Sequence, residues 1–144
     1  MFKPIYEIPV LNFIFRTGGA IPICSRQHDE QGYLHAMDEI ASGLEQGHLL
    51  CVFPEGKLTL DGEIDEFKAG IERIIERTPV PVVPMALQGL WGSFFSHSHG
   101  GAFKQPFRPQ WRQIKVLAES PINPDQVTAL NLQEKVTNLR GNFR

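Results

Sequence analysis

The sequence predicts an α/β domain built on a mixed, largely parallel sheet with helices on both faces. Short continuous apolar runs recur at residues 20–24, 49–53 and 80–87, each of a length that suits a strand buried on both sides. Between them lie segments whose apolar residues return at helical spacing. Strands that alternate with helices in this way favour a parallel sheet, and no internal repeat or low-complexity tract suggests another architecture.

Taken in order, Ala20–Cys24 reads as a buried strand opened by Gly18-Gly19. A helix follows from about Gln31 to Gln46, with Leu34, Met37, Ile40, Ala41 and Leu44 on its apolar face. Gly47 stands where a left-handed stop belongs. The run Leu49–Phe53 is the second strand and ends at Pro54. After a polar stretch, a second helix is expected around Asp65–Arg77, with Phe67, Ile71, Ile74 and Ile75 inward and an acidic first turn that suits the helix dipole. Val80–Leu87 is a third strand interrupted by prolines, and Gln113–Ala118 a fourth. Pro124–Leu139 is expected as the closing helix, with Val127, Leu130, Leu132 and Val136 on its apolar side. Gly89–Arg112, rich in glycine and aromatic residues, has no period and reads as a long irregular excursion of the kind that often carries function.

The 144 residues fit one domain, expected over residues 1–144. Apolar residues make up 42% and charged residues 21%, as in an ordinary folded protein, and the net charge of −2 gives no global field for nucleic acid. No apolar run reaches the ~18 residues of a membrane span. The opening MFKPIYEIPVLNFIF is broken by Pro4, Glu7 and Pro9 and lacks the build of a signal peptide. Cys24 and Cys51 read as a reduced, buried pair in cytoplasm.

In open α/β sheets ligands sit beyond the carboxyl ends of strands. That places interest on Phe53-Pro54-Glu55-Gly56-Lys57-Leu58-Thr59, where a buried run is followed at once by a carboxylate, a glycine, a cation and a hydroxyl. Gly56 permits close backbone approach to a ligand and Lys57 offers charge to an anion; the same string also suits an ordinary polar turn. Arg26, just after the first strand, either joins Lys57 as a phosphate clamp or pairs with Asp29 or Glu30. Lys68 is either a third cation or a solvated partner of Glu72.

These segments resemble the glycerolipid acyltransferase family. Phe53-Pro54-Glu55-Gly56 looks like the family's third block, Gly19-Ala20-Ile21-Pro22-Ile23-Cys24-Ser25-Arg26 like its second, and Val80–Leu87 like its fourth. Phe67-Lys68-Ala69-Gly70 is similar to its phenylalanine-lysine-x-glycine step, so that blocks and spacers run over roughly residues 5–120. The resemblance implies acyl transfer from acyl-carrier protein or coenzyme A to the hydroxyl of a lysophospholipid or glycerol phosphate, with no cofactor. It implies that Arg26, Glu55 and Gly56 hold the glycerol-phosphate portion; the charge of Lys57 adds it beside them, and Pro54, Thr59 and Lys68 are further candidates. The expected location is cytoplasmic, peripheral to the membrane or fused to a membrane domain. Leu90–Ser96 together with FPEGKLT resembles one bacterial subgroup, which re-acylates 2-acyl-glycerophosphoethanolamine.

One block has no match. The family's catalytic H-x4-D carries an aspartate five positions after a histidine, which then acts as general base. After His28, His35, His48, His97 and His99 the corresponding residues are Tyr33, Ile40, Phe53, Ala102 and Lys104. The expectation is an N-terminally truncated domain, inactive alone, whose uncovered apolar face or strand edge favours self-association. A second function class, a non-catalytic module for phosphate-bearing lipid headgroups or a partner domain, is served by the same residues.

Other chemistry is weaker. His97-Ser98-His99 lacks a nearby third metal ligand, so no metal site is expected. Gly56-Lys57-Leu58-Thr59 lacks both the earlier glycine and the adjacent hydroxyl of a nucleotide loop, and no G-x-S-x-G is present. The aromatic loop from Trp91 to Trp111, with Lys104, Arg108 and Arg112, suits either a lipid interface or a satellite core.

Overall fold

The computed structural model describes residues 19–23, 26–57, 59–92 and 113–143. Two compact units divide at Cys51 and Val52.

In the first unit, helix α1 spans Glu30–Glu45. Asp29 caps it, its carboxylate accepting the Gly32 N–H at 2.8 Å, and Glu30 supplies the acidic first turn. The helix ends in a Schellman motif: the Gly47 N–H reaches Leu44 O at 3.0 Å and the His48 N–H reaches Gly43 O at 2.9 Å. Gly47, at φ +82, is the predicted left-handed stop. The buried residues are Ala36, Met37, Ile40 and Ala41. Leu34, expected on the apolar face, is exposed instead, because the buried stripe runs one position further round the helix.

The second unit holds helix α2 (Gly70–Arg77), strands β1 (Met85–Gln88) and β2 (Lys115–Ala118), a 3-10 turn at Pro124–Gln126, and helix α3 (Ala129–Arg140). Its core is Phe67, Ile71, Ile75, Val127 and Leu132, flanked by Val52, Ile64, Val80, Val82, Ile122, Ala129 and Val136. Burying side chains of this kind contributes about 1.5–3 kcal/mol each, enough to seat α2 and α3 on one cluster.

Helix α2 begins five residues later than its apolar spacing predicts. Four consecutive amides before it are already taken: Asp65 N by the Glu55 carboxylate, Glu66 N by Asp65 Oδ1, Phe67 N by Gln133 Oε1 and Lys68 N by Pro54 O. Tertiary partners therefore hold 65–68 out of the helix where propensity alone favours it. At the other end Thr78 is extended, as the residue before Pro79 prefers.

The predicted closing helix is also divided. Val127 is buried in the turn, Thr128 accepts the Asn131 N–H at 3.1 Å as N-cap, and Glu72 Oε1 accepts the Ala129 N–H at 2.7 Å. Glu72 thus serves α3 and not Lys68. Leu130, expected inward, is 78% exposed.

The paired strands differ most from expectation. β1 and β2 run antiparallel, Met85 opposite Ala118 and Leu87 opposite Val116, with an antiparallel bridge between Val82 and Ile122. Among the described residues there is no parallel ladder, so the predicted largely parallel sheet is not seen. Pro81 and Pro84 have no N–H to donate, which confines the third apolar run to a bridge at Val82 and the four residues of β1. Residues 20–23 and 49–53 belong to no helix and no strand ladder. Cys51 and Phe53 are exposed while Val52 packs on the core, so the second run is one-sided and not buried on both faces. Cys51 is accordingly an exposed thiol, not a buried one; Cys24 lies outside the described residues.

Candidate functional site

The corner after residue 53 is built by the chain's own turn chemistry. Pro54 sits second in a turn closed by the Gly56 N–H donating to Phe53 O at 3.1 Å. Gly56 has φ +70, a backbone state that an L side chain adopts at a cost. A Cβ placed there would meet nothing within 4 Å, so the demand for glycine is conformational and the backbone face is open.

The segment 64–68 returns to this corner and fastens it. Glu55 Oε2 accepts the Asp65 N–H at 2.7 Å, Pro54 O accepts the Lys68 N–H at 2.8 Å, and Lys57 Nζ pairs with Asp65 Oδ2. The hydrogen bond to Asp65, and then the charge of Asp65, raises the Lys57 ammonium above its ordinary 10.5. The same hydrogen bond from Lys57, followed by that from the Glu66 N–H, holds the Asp65 carboxyl below 3.8. At 58% side-chain exposure, the Lys57 ammonium stays within reach of a solvent-borne anion. It has three donor directions, so an incoming phosphate can share it with Asp65.

The other predicted residues fall into different settings. Thr59 is absorbed by the loop: its hydroxyl donates to Asp61 Oδ1 at 2.9 Å and accepts the Gly62 N–H at 3.2 Å. Lys68 is exposed, with Glu66 4.0 Å away. Arg26 belongs to the first unit and donates from Nε and Nη2 to Glu30 Oε1 at 2.9 and 2.7 Å, one of the two carboxylate pairings open to it in the sequence. The second unit therefore brings together Pro54, Glu55, Gly56, Lys57 and Lys68 through 65–68, with Thr59 in the loop between.

Sequence reasoning missed Asp65, the hub of this arrangement, because its partners lie eight and ten residues back and no local period links them. It also missed Arg140. Its Nη1 donates to Gly62 O at 2.8 Å and its Nη2 to Glu63 Oε2 at 2.7 Å, from a position 77 to 78 residues away.

Among the described residues no group of three or more His, Cys, Asp or Glu is placed to hold a metal ion, and no helix is long and apolar enough to cross a membrane. His97, His99 and the aromatic loop beyond Gly92 lie outside the described residues.

Comparison with known proteins shows which family the chain resembles. Residues 2–88, more than half of the chain and inclusive of the FPEG turn, match the family model described as Acyltransferase. A Mycoplasma pneumoniae protein named "Probable 1-acyl-sn-glycerol-3-phosphate acyltransferase" is 33% identical over 96 residues, covering 67% of this chain and 36% of that protein. An Arabidopsis thaliana N-acylphosphatidylethanolamine synthase is 32% identical over 124 residues, covering 83% and 42%. The chain thus spans less than half the length of these relatives. The crystal structure of the 1-acyl-sn-glycerophosphate acyltransferase of Thermotoga maritima superposes with a TM-score of 0.60 at 20% identity, over 94% of this chain and 52% of that one, so the fold is shared. A match of this extent, with the FPEG turn inside it, places the chain in the acyltransferase family.

Proposed function

We propose that this chain is the acceptor-binding part of an enzyme that transfers an acyl group from acyl-carrier protein or coenzyme A to the hydroxyl of a lysophospholipid or glycerol phosphate. The relatives named for acylglycerol-phosphate acyl transfer support this reading. The observation that carries it is the Glu55–Lys57 corner. An exposed ammonium, held by the Asp65 carboxylate eight residues on, stands beside an open glycine backbone that the turn to Phe53 O fixes. Lys57 would meet the acceptor phosphate, Gly56 would let the glycerol approach the backbone, and Glu55 would fix the turn through Asp65. Arg26 takes the phosphate-contact role that the family resemblance implies for it.

Acyl transfer needs a base to take the acceptor hydroxyl proton. No histidine of this chain carries the aspartate that orients such a base, so the chain alone is expected to bind acceptor without turning it over. The sheet of the working fold is proposed to be mixed and largely parallel. The working location is proposed to be the cytoplasmic membrane surface, where lipid acceptors reside. The preference for 2-acyl-glycerophosphoethanolamine is proposed from Leu90–Ser96.

Titration of the chain with lysophosphatidic acid, against monoacylglycerol as the phosphate-free counterpart, tests this. Binding is expected only with the phosphate. Losing a charge-assisted contact costs about 1.5–3 kcal/mol, so Arg26→Ala and Lys57→Ala should each weaken it roughly tenfold or more. Equal binding by wild type and both variants would refute the headgroup site, and acyl transfer by the chain alone would refute the missing base.

A further inference from the structure

We propose that Arg140, at the end of α3, is the positioning residue of the Glu55–Lys57 corner, acting through a clasp on the loop that follows it. The inference rests on the acceptor reading above and adds a residue that the FPEG block does not contain.

The loop from Thr59 to Ile64 has no helix or strand to hold it, yet it is fastened at two levels. At its base, Asp65 is held by Glu55 and Lys57. At its tip, the Arg140 guanidinium bridges Gly62 O and the Glu63 carboxylate, and its side chain is only 13% exposed. A planar fork with parallel donors makes both contacts at once and fixes direction as well as distance. The tip is closed from another side by Trp91: a Cβ on Gly62 would lie 2.5 Å from Trp91 Cδ2. Gly62 is buried, at φ +84, so the residue type, the indole and the guanidinium fit one backbone conformation. Arg140 itself is tied to the sheet, since the Gln88 side-chain amide donates to Arg140 O at 2.8 Å.

Two features favour positioning over simple stabilisation. A partly buried ion pair adds little net stability compared with an apolar replacement, whereas it specifies geometry well. Arg140 also keeps Nε buried with no hydrogen bond, a cost that packing alone would avoid. Glu63 stands two residues before Asp65. A clasp at Glu63 therefore limits where Asp65 can stand, and Asp65 in turn orients both Lys57 and Glu55.

The test measures two quantities on the full chain, amide hydrogen exchange and affinity for glycerol 3-phosphate. Arg140→Met keeps the apolar stem and removes the fork. It should speed exchange at Gly62, Glu63 and Asp65 while β1 and β2 stay protected, and should weaken glycerol 3-phosphate about tenfold through misplacement of the corner. Arg140→Lys should restore neither fully, because one ammonium cannot reproduce the fork. Should Arg140→Met fail to fold, Glu63→Gln removes the charged half of the clasp and should give the same pattern more weakly. Unchanged exchange at the loop would show that no clasp exists, and a loosened loop with unchanged affinity would show that it does not position the corner. Faster exchange throughout the second unit with unchanged affinity would reduce Arg140 to a structural residue. A wild-type chain that does not bind glycerol 3-phosphate would overturn the acceptor reading and, with it, the role of Arg140; that failure is visible before any variant is made.

Discussion

Replacing Gly62 by alanine probes the loop tip, and replacing Gly56 by alanine supplies the internal reference. Both glycines have positive φ, +84 and +70, so each variant incurs a similar backbone cost of about 1–2 kcal/mol. The surroundings differ. At Gly56 the new methyl meets nothing within 4 Å, whereas at Gly62 it falls 2.5 Å from Trp91 Cδ2 and 2.9 Å from Cγ and Cε3. Three indole atoms inside contact distance cannot be relieved by a bond rotation at the alanine, so Trp91 must leave its seat. Overpacking of this kind costs about 1–3 kcal/mol more. Gly62→Ala should therefore destabilise by about 2–5 kcal/mol, against about 1–2 for Gly56→Ala. Urea unfolding read by far-ultraviolet circular dichroism gives both values, and tryptophan emission shows whether the indole has moved. Equal losses at the two positions, or an unshifted emission in Gly62→Ala, would refute the packing of Trp91 on Gly62.

Other perturbations give distinct readouts. The carboxyl of Asp65 has a lowered pKa, so its contribution is present above the ordinary 3.8 and is lost as pH falls through the lower folded value. The raised Lys57 contributes fully below 10.5 and is lost only as pH rises through its higher folded value. Loop exchange at Asp65, corrected for intrinsic rate, should rise in acid as the Lys57 pairing is lost, and Asp65→Asn should make that rise smaller. Glu72→Ala removes the acceptor of the Ala129 N–H and Thr128→Ala that of Asn131, and each should cost about 1 kcal/mol in urea unfolding. Leu132→Ala opens the core and should cost about 2–5 kcal/mol, whereas exposed Leu130→Ala should stay within about 0.5. Met85, Leu87 and Val116 are exposed on the strand pair, with Leu87 opposite Val116, so the chain is expected to self-associate and Leu87→Lys to shift sedimentation toward monomer.

The sequence made local features legible and long-range ones not. The body of α1 and its stop at Gly47 follow from spacing and one glycine, and the core residues Phe67, Ile71, Ile75 and Leu132 follow from period. The FPEG corner was visible because its residues are adjacent. The late start of α2 was not, since Pro54, Glu55 and Gln133 claim its amides from elsewhere in the chain. Apolar runs at 20–24 and 49–53 predicted buried strands, but hydrophobicity names no ladder partner. Val52 faces the core while Cys51 and Phe53 do not. Asp65 and Arg140 left no signal in pattern because their meaning lies in what they touch, eight to 78 residues away.

Amide spectra recorded during titration with glycerol 3-phosphate, and separately with glycerol, test the central claim most directly. The account predicts that the phosphate ester moves the Gly56 and Lys57 resonances in a saturable way, that glycerol does not, and that Lys57→Ala removes the effect. Resonances at Gly56 and Lys57 that stay still under both ligands, or respond equally to both, would contradict it.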